Sequence, residues 1–276
     1  MLYQSSIGAI VLAAALCMAT TGAQAFDDTK YPDWKGRWDR GGIPPRWVAA
    51  GQKAPLTPEY QALFEWNTAD QKAGGHGLEP SWLCLPPGMP RIMNVFEPME
   101  LVITPDVTYV LLSHIHDNRR IYTDGRDWPK EIEPSFKGYS IGRWIDADGD
   151  GRYDVLEVET RGMKGPRTYD TSGLPLHRDN KTVVKERLYL DKADPMVMWD
   201  EITTIDNALT GPWTVKKKYV RDSNPRPNWI EEVCAENNPH IRIQNDNYFI
   251  GADGLLMPAK KGQAPPDLRY FKQTQK

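Results

Sequence analysis

Between Met99 and Val220 the chain is a succession of short segments in which apolar and polar residues alternate, and this pattern leaves little choice of architecture. The segments run over Met99–Thr104, Val107–His116, Arg120–Thr123, Tyr139–Ile145, Val155–Thr160, Thr182–Tyr189, Met196–Ile205 and Trp213–Val220. A period of two places successive side chains on opposite faces of a strand. Thr-Pro-Asp at 104–106 and Asp-Gly at 124–125 supply turn chemistry between segments, the latter predicting that the chain folds back on itself. Many short strands with little helix predict a mainly β chain, an antiparallel barrel or sandwich. The composition agrees: ten Trp and twelve Tyr suit strands, and 23 Pro disfavour long helices.

The strand faces are informative about the interior. Over 182–189, Thr182, Val184, Glu186 and Leu188 share one face, with Val183, Lys185, Arg187 and Tyr189 on the other. Over 196–203, Met196, Met198, Asp200 and Ile202 oppose Val197, Trp199, Glu201 and Thr203. Neither strand has a purely apolar side, which fits a barrel with a partly polar lumen. Half-exposed strands with salt-bridged faces produce the same pattern. Gly36-x-Trp38 is similar to the opening strand of lipocalin-like barrels. The expected architecture is therefore a single-domain antiparallel β-barrel over residues 26–276, lipocalin-like, with one N-terminal helix and long loops. The helix is marked at its start by Thr57 as cap, Pro58 at the first helical position and Glu59 against the dipole, and is predicted to reach about Asp70.

Residues 1–25 read as a signal peptide: an apolar run over Ile7–Gly22, too short for a comfortable membrane span, precedes Ala23-Gln24-Ala25. The mature protein is expected in the periplasm or outside the cell, without stable membrane insertion. Its formal net charge of −3, with both signs interspersed, excludes nucleic acid and anionic lipid as principal partners. Cys84 and Cys234 are an even pair in an oxidising compartment, so a disulfide is expected, the alternative being a free nucleophilic thiol.

Three stretches carry candidate chemistry. In Val107–His116, Val110, Leu112, His114 and His116 share one strand face, and two imidazoles at this spacing suit a metal ion or a proton-transfer site as well as a wetted sheet edge. Arg119-Arg120 follows. The sequence from Asp146 to Glu157 fits the calcium-loop pattern D-x-D-x-D-G-x5-E, with side chains of Asp146, Asp148, Asp150 and Glu157, the Arg152 carbonyl and Asp154 through a water as the expected ligands. Its flanks read as strands, so a structural calcium ion in a β-hairpin is expected in place of a helical sensor. No nucleophile elbow, phosphate-binding glycine loop or nucleotide fingerprint occurs, and no organic cofactor is expected.

Several motifs together resemble a large group of uncharacterised exported proteins of proteobacteria: Pro55-Leu-Thr-Pro58, Cys84-x-Pro-x-Gly-Met-Pro90, Arg119-Arg-Ile-Tyr-Thr-Asp-Gly-Arg126, Ser140-Ile-Gly-x-Trp144, Glu186-Arg187, Pro212-Trp-Thr214 and Glu231-x-x-Cys-x-Glu-Asn237. The likeness spans most of the mature chain and implies one domain, but brings no activity with it. This sequence departs from the group in the longer Asp-rich turn after Trp144.

Two functional readings follow. One is an exported, cofactor-free lyase, isomerase or hydrolase acting on a small, largely apolar organic molecule in the barrel cavity. In it His116 and His177 serve as acid and base, Glu186 or Glu201 as orienting carboxylate, and Arg119 or Arg120 as anion clamp. The other is a periplasmic protein that binds a small hydrophobic or aromatic ligand without changing it.

Overall fold

The computed structural model describes residues 26–41, 53–94, 97–113, 118–229, 231–234, 240–243, 246–267 and 269. Nine strands close into a barrel: β1 Arg37–Gly41, β2 Met99–Ile103, β3 Val107–Leu112, β4 Asn118–Tyr122, β5 Tyr139–Ile145, β6 Val155–Arg161, β7 Val183–Leu190, β8 Val197–Ile205 and β9 Trp213–Arg221. β1 shuts the sheet by pairing antiparallel with both β2 (Trp38↔Met99) and β9 (Trp38↔Arg221). Gly36-x-Trp38 thus stands where the sequence suggested, at the barrel's opening strand.

The barrel departs from the antiparallel expectation at one seam, where β4 and β5 run parallel with Ile121 opposite Ser140. A parallel pair needs a crossover of a dozen or more residues, and residues 123–138 provide it. Asp124-Gly125 therefore opens a long excursion and does not make the hairpin its turn chemistry suggested. Gly142 admits this seam: a Cβ there would come 2.6 Å from the Ile121 side chain, which fills the lumen.

Alternation decides what faces inward. Val184, Glu186 and Leu188 of β7, Met198, Asp200, Ile202 and Thr204 of β8, and Val215, Lys217 and Tyr219 of β9 are all buried. With Trp38, Met99, Leu101, Val110, Leu112, Ile121 and Leu156 they fill the interior. The outward residues of the same strands line up across the sheet in alternating charge. Arg143, Glu157, Arg187, Glu201 and Lys216 are successive cross-strand partners from β5 to β9, and opposite charges so placed stabilise a sheet modestly. Both sequence readings of the mixed faces thus hold, a polar lumen on one side and a salt-bridged surface on the other.

The ends of the barrel are covered. At one, Trp34 and Tyr31 pack against Trp144, with ring centroids 4.9 and 5.3 Å apart. At the other lies α1, Pro58–Lys72, capped by the Thr57 hydroxyl, which accepts from the Tyr60 N–H. Cys84 and Cys234 lie at disulfide distance, their Cα atoms 5.7 Å apart. They link the 3-10 turn at Pro80–Leu83 to the segment leading into a separate three-stranded sheet, β10 His240–Ile243, β11 Asp246–Ile250 and β12 Leu256–Pro258. This sheet lies outside the barrel, a feature the sequence reading did not contain. Among the described residues no helix is long and apolar enough to cross a membrane.

Candidate functional site

The lumen is built around one buried ion pair. Arg119 of β4 points inward at 1% exposure. Its Nη1 donates to Glu186 Oε1 at 2.8 Å and its Nη2 to Glu186 Oε2, a bidentate pair between strands β4 and β7 across the lumen. Nη2 also donates to Thr160 Oγ1 at 2.9 Å and Nε to Ser140 Oγ at 3.3 Å, while the two hydroxyls bond each other at 2.8 Å. β4, β5, β6 and β7 are thereby tied through one guanidinium. A charged pair out of water persists only when its hydrogen-bonding capacity is met this fully.

Asp200, near Glu186 on the neighbouring strand, is the exception. It has no exposure to solvent, and neither carboxylate oxygen has a hydrogen-bond partner among the described residues. Burial, and next the charge of Glu186, hold its carboxyl well above the usual range, against the opposing pull of Arg119 and Lys217. A carboxyl raised in this way holds its proton more tightly than a free one and suits the role of proton donor. Opposite it, as its direct cross-strand partner, stands Lys217. Burial lowers this amine to about 8, with Asp170 and Asp200 opposing the shift and Arg40 adding to it. A carboxyl with a raised pKa and an amine with a lowered one thus occupy adjacent inward positions on β8 and β9. Tyr219, two residues beyond Lys217, donates its hydroxyl to the Met93 carbonyl at 2.6 Å and helps fix the covering loop over the lumen.

The single polar pocket expected from the sequence divides into separate places. Glu186 and Arg119 do meet in the lumen, each engaged with the other. Glu201 is on the outer face, accepting from the Tyr189 hydroxyl at 2.5 Å with Lys216 at 3.5 Å. Arg120 is also outside, its guanidinium 5.8 Å from the centre of the Tyr109 ring. His177 sits at the covered end, its ring 5.1 Å from Tyr60 and its Nδ1 accepting from the Asp179 N–H at 3.1 Å. Glu201 directly follows Asp200, and Arg120 directly follows Arg119, and in a strand a step of one residue changes the face. His114 and His116 lie outside the described residues.

In the Asp-rich turn, carboxylate oxygens of Asp146, Asp148 and Asp154 lie within 4.8 Å of one another. Gly149 and Gly151 adopt φ of +77° and +89°, the left-handed geometry that glycine accepts without strain. Asp150 accepts from the Arg152 N–H at 2.8 Å. Glu157, expected as the closing bidentate ligand, instead belongs to β6 and faces Arg187 at 3.6 Å. Three carboxylates therefore fit a hard cation, and the fourth and fifth acidic groups of the motif point elsewhere.

The lumen is closely filled. The cavity between Trp38, Met93, Met99, Leu112 and Tyr219 measures about 10 Å³, at or below the space one water needs. No protein-family model matches the chain, and no curated protein matches it.

Proposed function

We propose that the chain is an exported, cofactor-free enzyme of the lyase, isomerase or hydrolase type, moving protons on a small, largely apolar organic molecule that is admitted to the closely filled lumen when the segment held by Tyr219 over it shifts, with Asp200 as acid and Lys217 as its partner base. The observation that carries this reading is the Asp200 carboxyl, fully buried and without a hydrogen-bond partner among the described residues. Native structures seldom leave such a group unsatisfied without a chemical use for it. Burial first, and then the negative charge of Glu186 anchored by Arg119, raise the Asp200 carboxyl above its ordinary range. The likeness to exported proteobacterial proteins belongs to the same proposal and gives it its compartment.

The test is proton exchange. Small aromatic and alicyclic carbonyl compounds, epoxides and esters are incubated with the protein in deuterated water, and turnover or deuterium uptake is followed by NMR. Asp200→Asn is expected to reduce the rate by roughly 10²–10⁴-fold, the usual contribution of a positioned acid or base. The same variant should not unfold. The folded Asp200 keeps its proton at pH values where the unfolded carboxyl, near 3.8, has released it, so this group makes stability fall as pH rises above that value. Asn removes the penalty, and the variant should match or exceed the parent in Tm at neutral pH. Binding of a library compound without turnover by the parent would establish the carrier reading instead.

We further propose that Asp146, Asp148 and Asp154 hold one structural calcium ion. Three carboxylates this close repel one another unless a cation neutralises them. With calcium at about 100 times its Kd the folded state gains about 2.7 kcal/mol, so chelation should lower Tm by roughly 5–10 °C. Asp146→Ala should make Tm insensitive to the chelator. An unchanged melting curve on chelation identifies the turn as acidic surface only.

A further inference from the structure

The outer face of β5–β9 forms a trough of about 960 Å³ that the lumen chemistry does not use. Its floor is two cross-strand rows. One is the charge ladder already described; the other runs Ile141, Glu159, Lys185, Thr203 and Thr214. Its walls carry aromatic rings, Trp128 from the 123–138 excursion on one side and Tyr31, Trp144 and Tyr153 on the other. Floor side chains are held by their neighbours: Lys185 is 3.5 Å from Glu159, Glu201 accepts from the Tyr189 hydroxyl at 2.5 Å, and the hydroxyls of Thr203 and Thr214 bond at 2.7 Å. Arg161 lies 4.4 Å from the centre of the Trp128 ring and stiffens that wall.

We propose that this trough binds a neutral, polyhydroxylated chain, that is, an oligosaccharide without charged groups. Three features select this ligand class. First, plus and minus alternate along the floor and nearly cancel, so no strong field of either sign develops to hold a phosphate, a nucleic acid or an acidic polymer. Second, each charged pair presents a donor beside an acceptor, and vicinal hydroxyls, which both donate and accept, complement that pairing. The backbone groups of these central strands are already engaged in the ladder, so an added peptide strand finds nothing to pair with and recognition falls to side chains. Third, aromatic rings provide the apolar faces on which sugar C–H groups rest, with little rotamer entropy to lose. Five strands give the floor a span of ~19 Å measured along the curved sheet at the usual strand spacing, which suits an extended ligand over a compact one.

Affinity electrophoresis of the full mature protein tests this, using gels that contain soluble neutral polysaccharides (dextran, hydroxyethyl cellulose, glucomannan) or anionic ones (alginate, heparin). The expected result is retardation by at least one neutral polymer, undiminished at high salt. Trp128→Ala and, on the exposed floor, Lys185→Ser should each weaken it about tenfold, equivalent to about 1.4 kcal/mol, with Tm measured alongside; Lys185→Ser keeps the test valid if loss of Trp128 disturbs the wall. Three outcomes overturn the proposal: no retardation by any neutral polymer, retardation by anionic polymers alone that salt abolishes, or equal retardation of the parent and a folded Lys185→Ser variant.

Discussion

Arg119→Met should destabilise the protein by roughly 3–5 kcal/mol, the usual cost of removing one partner from a buried ion pair. The charge of Glu186 would be left in a lumen from which water is excluded, and the Ser140 and Thr160 hydroxyls would lose the donor that now joins four strands. For a domain of this size the loss is expected to lower Tm by roughly 10 °C or more. Arg119→Met combined with Glu186→Leu should recover most of the loss, because the uncompensated charge accounts for most of the cost and an apolar pair can fill the same space. The outer face offers the control: Arg187→Ala breaks an exposed pair 3.6 Å long and should cost less than about 1 kcal/mol. Thermal and urea unfolding of the four proteins decide the matter. If Arg119→Met unfolds like the parent, the lumen pair contributes nothing to stability. If the double variant is as unstable as the single one, packing and not charge is responsible.

The second large effect concerns Cys84 and Cys234, 150 residues apart in sequence. Closing so long a loop restricts the unfolded chain, and the chain-entropy treatment assigns it about 5 kcal/mol, an upper figure because measured values are often smaller. Cys84→Ser with Cys234→Ser should lower Tm, and its first effect should be local. The bond joins the cover of the barrel to the β10–β12 sheet beside a cluster in which the His76 and His240 rings lie 4.0 Å apart and Trp82 stacks on His76 at 5.3 Å. Amide exchange in residues 240–258 should therefore accelerate before exchange in β5–β9 does. Mass spectrometry under non-reducing conditions gives the primary answer: two alkylatable thiols in the folded protein mean that no bond forms.

The alternation of residue types along 99–220 specified strands, their approximate limits and their two faces, because a period of two is a local property of the extended backbone. The Thr57-Pro58-Glu59 start likewise specified α1, since capping needs only neighbouring groups. The parallel seam between β4 and β5 was not legible: Asp-Gly at 124–125 has the chemistry of a hairpin turn, and only the closure of the sheet determines that the chain travels on to Tyr139. The outer sheet β10–β12 was hidden for a similar reason, as its strands are short and lack a strong alternating pattern.

For the site, the sequence placed Asp200 with Met198 and Ile202 on one face and Glu201 with Trp199 and Thr203 on the other. It did not say which face was inside. Both faces are mixed, so hydrophobicity alone could not orient the strand. Cross-strand register settled the question. Glu201 falls opposite Lys216 and Arg187, where the Tyr189 hydroxyl and Lys216 engage it, while Asp200 falls opposite Lys217 and Leu188. A residue's face depends on its own strand, but its burial and partners depend on how distant strands are aligned. That alignment brings Arg119 to Glu186 across 67 residues, and it exists only once the barrel has closed.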